Sequence, residues 1–150
     1  MRFDGQWITA VVRGTRDLTP GIREFILAPE GGATPYATGS HLCVRVMVDG
    51  RIDLRRYSLV GDQPQDGCWR IAVKREEPGR GGSRYMWSLP TGARLEVTAP
   101  DSFFQLSGDA PDYLLVAGGI GITPIRGMAS ALRRRGARFR MLYALSLIHI

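Results

Sequence analysis

The segment that decides the fold is residues 42–60, LCVRVMVDGRIDLRRYSLV. Leu42–Val48 carries β-branched and apolar residues at alternate positions, which predicts a strand with one buried face. Asp49-Gly50 follows, a pair that favours a two-residue hairpin turn. Ile52–Val60 then predicts the returning strand. This stretch therefore predicts an antiparallel β-hairpin.

Further short strands, separated by glycine, proline and aspartate turn signals, lie on both sides of this hairpin. Glu30–Ser40 (EGGATPYATGS) predicts a loop, and roughly Ser83–Leu89 predicts one helix that ends before Pro90. Five or six short antiparallel strands predict a closed β-barrel. The additional strands are expected at Trp7–Val12 (ended by Gly14), Ile22–Ala28, Trp69–Lys74 and Arg94–Thr98.

The pattern changes after a polar linker at residues 109–112. Tyr113–Ala117 (YLLVA) is a continuous apolar run, typical of a parallel strand covered on both faces. A glycine-rich turn, Gly118–Pro124, leads to a predicted helix at Ile125–Arg135, with Gly136 after its end. Arg138–Tyr143 predicts a second strand. The sequence therefore predicts the first βαβ unit of a doubly wound α/β domain.

We accordingly expect a β-barrel domain at residues 1–108 and part of an α/β domain at residues 109–150. One βαβ unit leaves its two-stranded sheet half uncovered, and a sheet of that size is marginal in water. The last residues stop without a cap or a polar tail. We interpret the chain as C-terminally truncated, and we hypothesise that the closing LSLIHI is not native sequence.

Composition and charge narrow the function. No apolar run approaches the roughly 20 residues that span a bilayer, and the N-terminus MRFDGQWITA lacks the apolar core of a signal peptide. We therefore expect a cytoplasmic protein without a membrane partner. The net charge of +6 and the pI near 10.0 suit a nucleic-acid or other polyanion binder. The cations are scattered, however, and Arg133–Arg135 end a predicted helix, where they favour the helix dipole; we expect no nucleic-acid partner.

The sequence offers little for a metal site. Cys43 and Cys68 lie in strand-like stretches and form no C-x-x-C pair, so we expect structural thiols. His41 and His149 are far from any cysteine or acidic cluster. We expect no metal ligand in this chain.

Arg55-Arg56-Tyr57-Ser58-Leu59 is the first stretch that carries chemistry. In a strand, Arg55 and Tyr57 share one face and Ser58 takes the other. A guanidinium binds phosphate, a tyrosine packs on an aromatic ring and a serine hydrogen-bonds to heteroatoms, so the group could hold a phosphorylated aromatic ligand. The alternative is an ordinary strand in which this order of residues occurs by chance.

Two glycine-rich turns are the other stretches. Gly79-Arg80-Gly81-Gly82-Ser83 opens the predicted helix, where a backbone can approach an anion; the alternative is a turn with Ser83 as the N-cap. Gly118-Gly119-Ile120-Gly121-Ile122-Thr123-Pro124 lies between a strand and a helix, the context of a pyrophosphate-binding turn. It lacks the third glycine of G-x-G-x-x-G and has Pro124 instead, and any strand-to-helix turn needs some glycine.

Together, in this order, the three stretches resemble the ferredoxin–NADP reductase superfamily. RRYSL, IAVKRE, GRGGS and GGIGITP are most similar to phthalate dioxygenase and vanillate demethylase reductases. The resemblance runs from about Trp7 to Tyr143. It departs after Pro100, where Asp101-Ser102-Phe103-Phe104 replaces the Arg-Asn often found in the family.

The resemblance implies that the barrel has a Greek-key topology and binds a flavin, and that the α/β part binds a nicotinamide dinucleotide. Arg55 would contact the flavin phosphate, Tyr57 the isoalloxazine ring and Ser58 the region of N5, which makes Tyr57 and Ser58 the candidate catalytic residues. The other implied contacts are to the pyrimidine edge (Ala72, Val73, Lys74), to the phosphate (Gly81, Gly82, Ser83) and to the nicotinamide cofactor (Gly118, Gly119, Gly121, Thr123).

The same resemblance implies a reductase that takes hydride from NADH to FMN and passes single electrons to an iron–sulfur centre of an aromatic-ring oxygenase or demethylase, or to a ferredoxin. A plant-type [2Fe–2S] domain is expected only beyond this chain, since no C-x₄-C-x₂-C is present. FAD, NADPH and a free-flavin reductase remain alternatives, as does a non-catalytic basic barrel that binds a polyanion. We expect this chain to bind flavin better than it turns over NADH.

Overall fold

The computed structural model describes residues 5–145. The elements are β1 (Trp7–Thr19), β2 (Ile22–Pro29), β3 (His41–Val48), β4 (Arg51–Ser58), β5 (Trp69–Lys74), α1 (Gly82–Ser88), β6 (Arg94–Thr98), β7 (Asp112–Gly118), α2 (Ile122–Arg134) and β8 (Arg138–Ala144). A short 3-10 turn, Gly119–Gly121, precedes α2. The segment LSLIHI lies outside the described residues except for Leu145.

The first six strands form the predicted antiparallel barrel. Their order is β4-β3-β6-β1-β2-β5, and a bridge between Leu59 and Ile71 closes the sheet by joining the two end strands. Strands β3, β4 and β5 are neighbours in succession, and β6 returns beside β3, which is the Greek-key arrangement. The predicted fold class is confirmed.

The β3–β4 hairpin forms as predicted. Val48 pairs with Arg51, so Asp49 and Gly50 are the only turn residues between β3 and β4. Both have positive φ, 50° for Asp49 and 73° for Gly50. Positive φ at both central positions defines the type I′ turn, whose twist matches that of the strands.

Two predicted boundaries differ from the observed ones by three residues or more. Strand β1 does not end at Gly14 but runs to Thr19, because a β-bulge between Val12 and Gly14 absorbs one residue and the pairing with β2 resumes. Helix α2 begins at Ile122 rather than Ile125. Pro124 is tolerated there because the first-turn N–H groups of a helix have no intrahelical partner.

Two separate groups of buried side chains hold the chain together. The larger fills the barrel and includes Phe25, Leu27, Trp69 and Ile71. The smaller packs α2 against β7 and includes Leu132, and α2 lies against only one face of the parallel pair β7–β8. The other face is open, with Leu114, Val116 and Leu142 each about 60% exposed.

Both cysteines, Cys43 and Cys68, are free thiols buried in the barrel. Arg134, at the end of α2, forms an ion pair with Asp62 of the barrel, so the arginine run does more than favour the helix dipole. Across residues 5–145, neither helix has the length and apolar character needed to cross a membrane.

Candidate functional site

The end strands of the barrel separate beside the closing bridge. β4 and β5 meet at Leu59 and Ile71, and the Val60 N–H donates to the Arg70 carbonyl at 2.8 Å. In the sheet order of residues 5–145, no ladder joins these strands beyond that point. The chain from Arg55 to Ser58 therefore faces the chain from Ala72 to Lys74 across a gap.

A cleft with a volume of about 330 Å³ opens in this gap. A volume of this size is typical of a site for one small molecule. Barrel and α/β segments line it together: Arg55, Arg56, Tyr57, Ser58, Ala72, Lys74, Glu76, Arg80, Gly82, Ser83, Ile120, Gly121, Thr123 and Pro124. Four of these side chains are cationic and only Glu76 is anionic, so the cleft favours an anionic ligand.

Tyr57 and Ser58 both line the cleft, although strand alternation predicts that they point to opposite faces of β4. The two residues alternate along β4, but the cleft runs along the open edge of the strand and receives both. Arg56 lines the cleft for the same reason, although it was not among the predicted site residues.

Arg55 is held against the start of α1. Its Nη1 donates to Asp53 Oδ2 at 2.6 Å and to the Leu54 carbonyl at 2.9 Å, and its Nη2 donates to the Arg80 carbonyl at 3.1 Å. A Cβ on Gly82 would lie 2.3 Å from Arg55 Nε. Only glycine leaves room for the guanidinium here. The ion pair also lowers the pKa of the Asp53 carboxyl, chiefly through the hydrogen bond from Arg55.

Ser83 does not act as the N-cap of α1. The N-cap is Gly81, with φ of 85°, which has no side chain that could cap the helix. Ser83 Oγ instead accepts from the Glu76 N–H at 3.1 Å. The hydroxyl thus ties the start of α1 to the segment that follows β5, and both line the cleft.

Tyr57 is half-buried against the barrel core, opposite Leu42 on β3. Burial raises the pKa of Tyr57 to about 12; the nearby Arg55 lowers it and Glu76 raises it. The phenol is therefore neutral near pH 7 and can donate a hydrogen bond. Ser58 is the last residue of β4 and pairs with His41.

The α/β side of the cleft is the turn before α2. Thr123 is 9% exposed, and its hydroxyl donates to the Ile120 carbonyl at 3.1 Å. This bond holds the turn closed over Gly121. Gly118 and Gly119 lie outside the cleft; the Gly119 carbonyl accepts from the Tyr143 hydroxyl at 3.2 Å, beside an adjacent groove at the carboxyl ends of β7 and β8.

Nine of the thirteen predicted site residues thus come together in the cleft. Besides Gly118 and Gly119, Val73 and Gly81 do not line it. The Val73 side chain is in the barrel core and its carbonyl accepts from Trp87 Nε1 at 3.1 Å, while Gly81 packs on Val48. Five further residues line the cleft that were not predicted: Arg56, Glu76, Arg80, Ile120 and Pro124. Each belongs to one of the four motifs quoted for the resemblance and lies within two residues of a predicted site residue.

Comparison with known proteins places the chain. The family described as oxidoreductase FAD-binding domain matches residues 11–105. Phthalate dioxygenase reductase from Burkholderia cepacia is 42% identical over 118 residues, which cover 77% of this chain and 36% of that protein. The heme-dependent oxidative N-demethylase beta subunit from Ectopseudomonas mendocina (strain ymp) is 40% identical over 135 residues, 89% of this chain and 43% of that protein.

A solved structure agrees with these relatives. The structure of a phthalate dioxygenase reductase, described as modular for electron transfer from pyridine nucleotides to [2Fe–2S], has a TM-score of 0.83 at 35% identity; the match covers 93% of this chain and 44% of that one. The chain spans about two fifths of the length of these proteins. The resemblance inferred from the motifs is confirmed, and the chain belongs to the oxidoreductase FAD-binding domain family.

Proposed function

We propose that the cleft binds FMN and that the chain is the flavin-binding part of an NAD(P)H-dependent reductase. One observation carries the proposal: the RRYS segment of β4 and the turn before α2 line the same cleft. Hydride transfer requires the two reacting atoms within about 3–3.5 Å. A cleft shared by a flavin-type strand and a dinucleotide-type turn is a place where both cofactors can meet.

The residues present suit a flavin. Arg55, with Gly82 leaving space beside it, would hold the phosphate, and Gly81 and Ser83 would close over it. Tyr57 would contact the isoalloxazine ring and Ser58 the region of N5. Ala72, Val73 and Lys74 would follow the pyrimidine edge, Val73 through its backbone because its side chain is buried.

The neutral Tyr57 would act as a hydrogen-bond donor, and Ser58 would fix the ring at the mouth of the cleft. When bound, the flavin supplies hydride acceptance and single-electron release. Thr123 and Gly121 would orient the nicotinamide, with Gly118 and Gly119 along its diphosphate. FMN is proposed over FAD because its terminal phosphate, with nearly two negative charges, suits the four cations of the cleft.

We further propose a division into a flavin-binding domain at 1–108 and a nicotinamide-binding part at 109–150, matching the two groups of buried side chains. The relatives named above are a dioxygenase reductase and an N-demethylase subunit. Their names support an oxygenase or demethylase system as the electron acceptor. The description of the solved phthalate dioxygenase reductase, with electron transfer to [2Fe–2S], supports an iron–sulfur centre in that role.

The visible spectrum of the purified chain tests the flavin. A yellow protein, or one that takes up FMN on reconstitution, supports the proposal, and chromatography of the released cofactor separates FMN from FAD. A colourless chain that takes up neither FMN nor FAD would contradict the proposal. Arg55→Ala should weaken flavin binding, whereas Arg51→Ala, exposed on the same strand and outside the cleft, should not. A polyanion binder would respond instead to changes at Arg133–Arg135.

A further inference from the structure

Helix α2 touches the barrel at a contact between two glycines. Gly127 is buried on α2, and a Cβ there would lie 2.2 Å from the Gly61 carbonyl oxygen. Alanine is a better helix former than glycine in a helix interior. The contact with the barrel, and not the helix itself, therefore requires glycine at this position.

Other contacts hold the same helix against two loops of the barrel. Arg134 forms an ion pair with Asp62, whose side chain is only 15% exposed. A Cβ on Gly39 would lie 2.8 Å from Met128 Cε, so a second barrel glycine lies under the helix. These contacts fix α2 against Gly39 and the Gly61–Asp62 segment.

Each half of this contact is close in sequence to one wall of the cleft. Gly61 follows Ser58 by three residues, and Gly127 lies one helical turn after Thr123 on the same side of α2. Ordinary contact begins near 3.4 Å, so a methyl group at Gly127 needs about 1 Å of extra separation. A helix that moves away from Gly61 carries Thr123 and the turn with it.

We infer that Gly127 is a positioning residue whose contact with Gly61 sets the distance between the two walls of the cleft. This inference rests on the proposed function. Gly127→Ala removes no group that lines the cleft, so flavin affinity is retained. A misplacement of about 1 Å lowers the rate of flavin reduction by NADH by about 100-fold.

The first test needs no cofactor. Amide chemical shifts of Ser58 and Gly121 are compared in the original chain, in Gly127→Ala and in Ser130→Ala, an exposed change on the same helix. The inference requires that the amide chemical shifts of Ser58 and Gly121 differ from the original chain in Gly127→Ala but not in Ser130→Ala. The chemical shifts of β1 and β2 should be the same in all three proteins. Identical spectra for the two variants at Ser58 and Gly121 overturn it.

The second test uses the flavin-loaded protein and separates flavin affinity from the rate of reduction by NADH. The expected result is a lower rate with unchanged flavin affinity in Gly127→Ala; equal losses in both, or none, overturn the inference. If Gly127→Ala does not fold, Asp62→Arg loosens the same contact without a new methyl group, and adding Arg134→Asp should restore the shifts. If the original chain takes up no flavin, the proposed function fails, while the chemical shifts still decide the contact.

Discussion

Arg55 lies so close to Gly82 that a Cβ on the glycine would come within 2.3 Å of its Nε. The guanidinium is therefore positioned by backbone that carries no side chain. Gly82, the first residue of α1, and Arg55 of β4 are thus adjusted to one another, and substitution of either one disturbs the contact.

Gly82→Ala should displace Arg55 and weaken flavin binding by roughly tenfold, the loss of about one charge-assisted hydrogen bond. The dissociation constant can be measured by quenching of flavin fluorescence. Gly108→Ala is the matched control, because a Cβ there meets nothing within 4 Å. Equal affinities for the two variants would show that Arg55 does not hold the ligand.

Two tyrosines should ionise late in the folded chain. Burial raises the pKa of both Tyr57 and Tyr36 to about 12 from the usual 10.0. The folded state therefore keeps these protons longer than the unfolded state, so the stability they contribute is complete below pH 10 and is lost as the pH rises towards 12.

A spectrophotometric titration checks this prediction. Tyr57→Phe should remove one late-ionising group, and should leave that of Tyr36 in place. If all five tyrosines of the original chain ionise together near pH 10 while it is still folded, burial of Tyr57 is wrong.

The Thr123 hydroxyl should matter for the turn more than for the barrel. Thr123→Val keeps the shape of the side chain but removes the bond to the Ile120 carbonyl, at a cost of about 1 kcal/mol. Urea unfolding followed by far-UV circular dichroism measures the cost. Flavin reduction by NADH should slow, and flavin affinity should stay; a loss of flavin affinity alone would contradict the assignment of Thr123 to the nicotinamide side.

Leu132→Ala tests the proposed division into domains. Leu132 is completely buried in the smaller core, and its truncation should cost about 2–5 kcal/mol. Trp7 and Trp69 lie on barrel strands, and Trp87 on α1 packs against the barrel core, so the fluorescence of the three tryptophans reports the barrel and not the smaller core. The variant should lose the circular dichroism of α2 at a lower temperature than the tryptophan signal; coincident transitions would indicate a single cooperative unit.

Local signals allowed most of the elements to be predicted. Asp49-Gly50 specifies its turn by conformational preference alone, and Gly136, with φ of 68°, ends α2 as expected. The three motifs also indicated the site, since their glycines and Arg55 meet as the resemblance implied.

What escaped prediction depends on distant partners. The bulge at Gly14 is visible only when β2 is placed beside β1. Arg56 enters the cleft because β4 borders a gap, and the gap exists because Leu59 meets Ile71. The need for glycine at position 127 comes from Gly61, more than sixty residues earlier in the chain. None of these relationships leaves a local pattern.

The pairing of β1 with β6 has a consequence for folding during synthesis. Trp7 lies opposite Thr98, so the first strand finds its second neighbour only after nearly all of the barrel has been translated. Pairings so distant in sequence form slowly. Until then one edge of β1 is unpaired on the nascent chain, where chaperones or another copy can reach it. Expression at reduced temperature, which slows synthesis and limits crowding of unfinished chains, should raise the soluble yield.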